Sequence, residues 1–371
     1  MNQPNPTIPT VWVLCGGPST EYEVSVSSGR FVCLHADKTR FAIRPVVVTR
    51  SRRWIISERT ATGTADNSWI DEFFATAVPT GRDDTDQSTG YSLHEALQLL
   101  TATSIDCAFL AFHGQYGEDG GIQGLLQTAQ VPYTGSGILA SALAYNKAAS
   151  LDIFAKAGLP VARSVVCTPA EPRPAALQSL SFPVFTKPVC GGSSLGVSLV
   201  KKPEDLEAGI RHALDHDDRC IVEEKIEGVE VSCGVLDEIC DGQIISRALP
   251  PTLIAPTEAE FFDYDAKYVP GKSRDTTPAP LPAQLIDKIQ SIALQAHHAL
   301  YCEGMSRTDM ITLPDADAQP YILETQTLPG MTPTSLIPLQ CQAAGIEFSQ
   351  FITMLISHAL TKNAPTGSDN G

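Results

Sequence analysis

The chain has no run of apolar residues long enough to cross a membrane. Its start, Met-Asn-Gln-Pro-Asn-Pro, has neither the basic residues nor the apolar core of a secretory signal. It has no Cys-x-x-Cys pair: ten cysteines are scattered along it, several in apolar strand-like runs such as Ile105-Asp-Cys-Ala-Phe-Leu110. They read as small buried hydrophobes in a reducing compartment rather than as disulfides or a zinc site, so a cytoplasmic location is expected. Positive charge is scarce, with 26 Lys and Arg against 42 Asp and Glu for a formal net charge of −16, and no basic block occurs. That balance argues against nucleic-acid and membrane partners. An acidic protein can still hold a polyphosphate if its few cations gather in one cleft. Internal repeats and a Walker-type Gly-Lys-Ser/Thr turn are also missing.

At 371 residues the chain exceeds the ~250–300 at which one core stops growing, so two or three domains are expected. Strand-like runs at 11–14, 43–48, 54–56 and 106–112, with helices starting near Ser25 and covering 92–100, predict an α/β unit with a parallel sheet. Residues 81–90 read as a surface insertion. A helix over 138–157 ends at Gly158 with Pro160 beyond, a stop signal near which a domain boundary is placed. From 163 to 238 short β runs surround one amphipathic helix at 204–214, an α+β pattern. A helix at 283–301 then carries apolar residues at helical spacing.

The most informative segment follows it. Arg307-Thr-Asp-Met-Ile-Thr-Leu313 and Pro320-Tyr-Ile-Leu-Glu-Thr-Gln326 flank a turn-rich connection and predict a hairpin. If Leu313 and Pro320 close it, Ile311 faces Ile322, Asp309 faces Glu324 and Arg307 faces Gln326. Carboxylates directly across an antiparallel pair have Cβ atoms ~4.5–5.5 Å apart and repel unless a cation intervenes. Magnesium suits such oxygens and is commonly shared with nucleotide phosphates; Gln326 would offer a third oxygen. An exposed hairpin with solvated acids is the plainer alternative.

Other segments carry similar pairs of readings. Lys187 ends a strand before Cys190-Gly-Gly-Ser-Ser-Leu-Gly196, a turn whose N–H groups could converge on phosphate oxygens, or simply a hairpin turn. Glu223, Glu224 and Glu230, around Lys225 and Ile226, could meet a nucleoside or be solvated edge charges. His113 follows a strand end, where α/β sheets place binding loops; it could donate to an anionic substrate or be structural. Glu23 could grip an ammonium group or merely favour a helix N-terminus. Phe261-Phe-Asp-Tyr-Asp-Ala-Lys-Tyr268 opens a long Pro/Gly-rich stretch to Pro282 that suggests a lid.

In this order the motifs resemble the D-alanine–D-alanine ligase family of the ATP-grasp superfamily. The matching residues are Glu21-Tyr-Glu-Val-Ser25, His113-Gly, Gly117-Glu-Asp-Gly120, Pro132-Tyr-Thr-Gly-Ser136, Lys187-Pro, Gly192-Ser-Ser-Leu-Gly196, Tyr264-Asp-Ala-Lys-Tyr268, Arg307-Thr-Asp309 and Leu323-Glu-Thr-Gln-Thr-Leu-Pro-Gly-Met-Thr332. The resemblance implies a three-domain ATP-grasp architecture: an N-terminal α/β substrate domain (1–140), a central domain (141–235) and a C-terminal metal domain (236–371) with a lid loop at 261–282. ATP would lie between the last two.

The resemblance also implies the reaction. One D-alanine carboxylate attacks the ATP γ-phosphate to give an acyl phosphate, and a second D-alanine amine displaces phosphate, making a peptidoglycan precursor. Glu23 would hold the first ammonium and form a hydrogen-bonded triad with Ser193 and Tyr268. His113 would contact substrate, Arg307 and the Gly330 amide would stabilise the tetrahedral oxyanion, and Ser335 with Leu336 would bind the second substrate. Lys147, Lys187, Lys267, Ser193 and Ser194 would meet phosphates, while Glu223, Glu224, Ile226 and Glu230 would meet the nucleoside. Asp309, Glu324 and Gln326 would hold two magnesium ions, for which manganese could substitute. A homodimer is expected. Where this chain has Gln326 the family usually has Asn, and the added methylene moves the ligating oxygen by roughly 1.5 Å, so a weaker second magnesium site is expected. D-lactate or D-serine as second substrate, or a nucleotide-binding paralogue without turnover, are the alternatives.

Overall fold

The computed structural model describes residues 8–64, 66–78, 90–256 and 273–362. Residues 81–89 of the expected insertion at 81–90, and residues 261–272 of the expected lid, Lys267 and Tyr268 among them, lie outside the described residues.

Three sheets organise the chain. In the first, β1 (Thr10–Gly16) pairs in parallel with β2 (Ala42–Val48) and β4 (Cys107–Leu110), and β3 (Trp54–Ile56) joins β2 antiparallel, for the order β3-β2-β1-β4. Six of the seven β1 residues are buried, as expected of a parallel strand covered on both faces. Helix α1 (Tyr22–His35) packs so closely on β1 that a Cβ at Gly29 would come 2.5 Å from Cys15 Sγ. Helices α2 (Trp69–Ala77), α3 (Leu93–Ala102) and α4 (Gly121–Thr128) complete this unit. Ser92 and Glu95 form the reciprocal cap that starts α3.

The expected helix over 138–157 is broken into α5 (Ile138–Tyr145) and α6 (Lys147–Lys156). Asn146, at φ −93° and ψ 96°, leaves the helix to bridge Cys190, and its side-chain oxygen accepts the Ala149 N–H at 3.0 Å. A favoured capping residue with a partner outside the helix outweighs the continuity of two helix-forming halves. The break puts Lys147 at the first position of α6, facing a cleft.

The second sheet is antiparallel: β5 (Ser164–Cys167), β6 (Val184–Pro188), β7 (Ser198–Val200) and β8 (Cys220–Glu224), in the order β5-β8-β6-β7, with α7 (Leu206–Leu214) on one face. The third runs β12-β11-β9-β13-β14, from β9 (Val229–Cys240), β11 (Thr252–Pro256), β12 (Ser273–Thr276), β13 (Met305–Thr312) and β14 (Tyr321–Gln326); β10 (Gln243–Ala248) pairs with the far half of β9. Strand β9 runs through 235–236, where the sequence reading puts a boundary, so the sheets change at 225–228 instead. Helix α8 (Ala283–Ala299) buries Leu285, Ile289, Ile292, Ala293 and Ala296 in the core under this sheet. After α9 (Leu336–Ala343), helix α10 (Phe348–Lys362) returns to the N-terminal unit. Its Phe351, Ile352, Leu355, Ile356 and Ala359 share one core with β1, β2 and β4.

Candidate active site

Strands β13 and β14 pair Arg307 with Gln326, Thr308 with Thr325 and Asp309 with Glu324. Beyond Asp309 the register shifts: Met310, not Ile311, faces Ile322, because Leu323 is an extra residue on β14. The bulge lies past the polar residues, so the two carboxylates still face each other. Neither is solvated as an isolated acid. Asp309 is 4% exposed and accepts from Arg307 Nε at 2.9 Å, Arg307 Nη2 at 2.6 Å and, from neighbouring β9, Ser232 Oγ at 2.6 Å. Glu324 pairs with Lys147 Nζ at 3.1 Å and accepts from Gln326 Nε2 at 3.2 Å. Burial works against the charge of Arg307 and Lys147, but Asp309 and Glu324 respectively outweigh it and hold both cations above their ordinary pKa.

The donor set suits a hard divalent cation: two facing carboxylates and an amide side chain of Gln326. Among the described residues no group of three or more His, Cys, Asp and Glu could hold a metal by itself. A magnesium ion here would therefore draw its remaining ligands from a bound phosphate and water, which is how this ion is usually held.

The hairpin forms one wall of a cleft of about 480 Å³. Lys147, Lys187, Ser193, Ser194, Glu223, Glu224, Ile226, Glu230, Asp309 and Glu324 all line it, so these expected nucleotide and metal residues converge on one space, whereas Gln326 lines a small adjoining cavity with Lys147 and Glu324. Lys187 is ion-paired with the buried Glu223, one of whose oxygens, Oε1, has no hydrogen-bond partner among the described residues. Glu224 is held by Arg163 at 3.5 Å and by the Ser181 N–H at 2.7 Å. In the loop between β6 and β7, Gly191 takes φ +115°, and Ser193 and Ser194 take φ 55° and 57°. Non-glycine residues seldom adopt that left-handed region, and such strain concentrates at ligand-binding turns.

From the first unit, Glu21 reaches this loop: Ser193 Oγ donates to Glu21 Oε1 at 2.7 Å, and Gly192 packs so close that a Cβ there would lie 3.0 Å from Glu21 Oε2. The expected Glu23–Ser193 contact is not the one formed. Glu23 lies two residues on, inside α1, with its side chain 73% exposed and ion-paired with Arg50. Glu21 is the residue that precedes α1, at φ −95° and ψ 22°, and so leaves the helix direction before Glu23 enters its first turn.

Two family models cover most of the chain: D-ala D-ala ligase N-terminus over residues 10–136 and D-ala D-ala ligase C-terminus over residues 153–357. The chain belongs to the D-alanine–D-alanine ligase family. A D-alanine–D-alanine ligase of Leptospira interrogans is 37% identical over 358 residues, covering 95% of this chain and 98% of that protein. Among solved structures, the VanG D-Ala:D-Ser ligase of Enterococcus faecalis matches with a TM-score of 0.77 at 31% identity, covering 95% of this chain and all of that one (100%). The D-alanine–D-alanine ligase of Bacillus anthracis complexed with ATP matches with a TM-score of 0.70 at 28% identity, covering 95% and 98%. The three-sheet ATP-grasp fold and an ATP-dependent ligase family are thus established for the chain.

Within this family member, the remaining expected residues divide. His113 spends both ring nitrogens inside the chain, one bonded with Ser28 Oγ at 2.8 Å and the other with the Leu328 carbonyl at 2.9 Å. Burial pushes its pKa down, and its two bonds make it a clamp between α1 and the loop after β14. Ser28 Oγ also accepts the Met331 N–H at 3.2 Å, which fixes the segment carrying Gly330. Ser335 Oγ accepts the Thr332 N–H at 3.0 Å and lies where a Cβ at Gly330 would come within 2.6 Å of it. Gly330, Ser335 and Leu336 therefore sit together at the entrance to α9. Glu118, part of the family motif but given no role above, feels the charges of both Glu21 and Glu324. Burial and the Glu21 charge push its carboxyl up to about 8. Its Gly-Glu-Asp-Gly setting was the available signal.

Proposed function

We propose that this chain joins two D-alanine molecules into D-alanyl-D-alanine with conversion of ATP to ADP and phosphate, for peptidoglycan precursor synthesis. The observation that carries this reading is the convergence of Lys147, Lys187 and the facing Asp309–Glu324 pair on one cleft, closed from the first unit by the Glu21–Ser193 bond. Lysine ammonium groups suit the phosphates and the left-handed loop offers N–H groups to them. Asp309, Glu324 and Gln326 would hold magnesium, for which manganese could substitute, and the ion would supply charge neutralisation to the phosphates.

The chemistry asked of the chain is positioning and charge neutralisation. The carboxylate of the first D-alanine attacks the γ-phosphorus and ADP leaves; the amine of the second then attacks the acyl carbon and phosphate leaves. Glu21, rather than Glu23, is the acid placed to hold the first ammonium beside Ser193. Arg307 and the Gly330 N–H serve the tetrahedral oxyanion, and Ser335 the second carboxylate. The protein is expected to work in the cytoplasm as a homodimer, the latter checked by its mass in solution.

The test is ADP release from purified protein, with the product identified by mass in the presence of D-alanine alone and with D-serine or D-lactate added. D-alanine-dependent ADP release with D-alanyl-D-alanine as product supports the reading. ATP turnover indifferent to D-alanine, or preferential formation of the mixed product, overturns it.

A further inference from the structure

All four carboxylate oxygens of the Asp309–Glu324 pair have donors within the chain. Arg307 and Ser232 satisfy Asp309, Gln326 Nε2 bonds Glu324 Oε1 at 3.2 Å, and Lys147 Nζ pairs with Oε2 at 3.1 Å. These donors differ in how freely they can leave. Arg307 grips Asp309 with two parallel bonds on the same strand, a rigid fork. Lys147 holds Glu324 by one point charge on a flexible stem, and the same ammonium also donates to the Gly191 carbonyl at 2.6 Å, in the phosphate-facing loop. Its backbone is pinned, because Asn146 caps α6 and the Lys147 N–H donates to the Val189 carbonyl at 3.0 Å. Only the side chain can move, and its reach runs from Glu324 to the loop.

A divalent cation on Glu324 and an ammonium on the same carboxylate would repel at a few ångströms in a partly dry cleft. We propose that Lys147 is an exchangeable counter-ion: its ammonium bridges Glu324 and the Gly191 carbonyl until nucleotide phosphates draw it off the carboxylate, so that the carboxylate pair takes up a divalent cation together with nucleotide rather than ahead of it. The inference rests on the reading of the cleft given above. It adds a positioning role to a lysine otherwise needed only to touch phosphate. By linkage the coupling is reciprocal: a metal forced onto the pair must release Lys147.

The experiment measures Mn2+ binding by electron paramagnetic resonance with protein alone, without nucleotide. Lys147→Gln is expected to bind Mn2+ at least about tenfold more tightly than the unaltered chain, equivalent to about 1.4 kcal/mol. Lys187→Gln, which removes a lysine paired with Glu223 instead, is expected to leave that affinity unchanged. Should Lys147→Gln fail to fold, the unaltered protein still decides. Acetylation of Lys147 by acetic anhydride, followed by mass spectrometry, is expected to accelerate at saturating Mn2+, with no such change at Lys187. Unchanged Mn2+ affinity in a folded Lys147→Gln protein, or metal-independent acetylation, overturns the proposal. Either result, obtained while the unaltered protein makes D-alanyl-D-alanine, sinks this inference alone, whereas failure of D-alanine-dependent ADP release sinks the functional reading.

Discussion

Glu21 and Glu23 stand two residues apart in one motif, and replacing each by alanine separates the roles that the structure divides between them. Glu21 accepts the Ser193 hydroxyl at 2.7 Å, a bond to a charged group that contributes about 1.5–3 kcal/mol. If the same contact orders the loop during turnover, Glu21→Ala loses about 10- to 150-fold in kcat/KM, and more if the first ammonium also rests there. Glu23 is 73% exposed beside Arg50, and an exposed pair is worth about 0–1 kcal/mol after screening, so Glu23→Ala loses at most about fivefold. The assay is ADP release against D-alanine concentration at saturating ATP, with both subsites resolved by the curvature of the rate. Equal losses in the two variants, or a larger one at Glu23, would refute the assignment of Glu21.

His113→Ala should leave the Leu328 carbonyl and Ser28 hydroxyl short of a buried partner, at about 1–3 kcal/mol for each; urea unfolding at neutral pH measures the loss, and a midpoint equal to the parent's would show that the clamp is not needed. Asp237 is pushed up by burial, yet bonds from His297, Ser246 and the Gly304 N–H hold its pKa down at about 2. Its folded value lies below the unfolded ~3.9, so its contribution is present above pH 4 and vanishes as pH falls toward 2. His358, lowered chiefly by burial, adds a loss that begins as pH drops through the unfolded ~6.5. His113 is lowered by burial as well and Glu118, raised to about 8, works in the opposite direction, so the comparison is between proteins: between pH 7 and 5 the urea midpoint of His358→Gln should fall less than the parent's, and equal changes contradict this. A Cβ at Gly234 would collide with Ile337 and lie 2.7 Å from Gln340 Oε1, which accepts the Gly234 N–H. Gly234→Ala should cost about 1–3 kcal/mol by overpacking and disturb Arg307, its partner on β13. Gln326→Asn should lower the magnesium concentration needed for half-maximal ADP release; identical titrations would dismiss the idea that the longer side chain weakens the site.

What the residues alone determined is local or periodic. The alternation along 307–312 and 321–326, with a turn-rich link, was enough to set Asp309 against Glu324, because a strand has period two and a one-residue slip would turn every polar side chain to the other face. Likewise the Ser92 cap, the strand at 54–56 and the Gly158 stop follow from backbone preferences that need no distant partner. Tertiary structure decided what depends on partners far along the chain. The bulge at Leu323 shifts Ile322 onto Met310, Asn146 abandons a helix to pair with Cys190, and α10 crosses back to fill the core of the first sheet. The two acids of the first motif are told apart only by where Ser193 arrives, 172 residues away from Glu21. His113 becomes a clamp only because Ser28 and Leu328 close on it. Period and propensity act within a few residues, whereas a carboxylate's role is set by which charges the fold brings within hydrogen-bond reach.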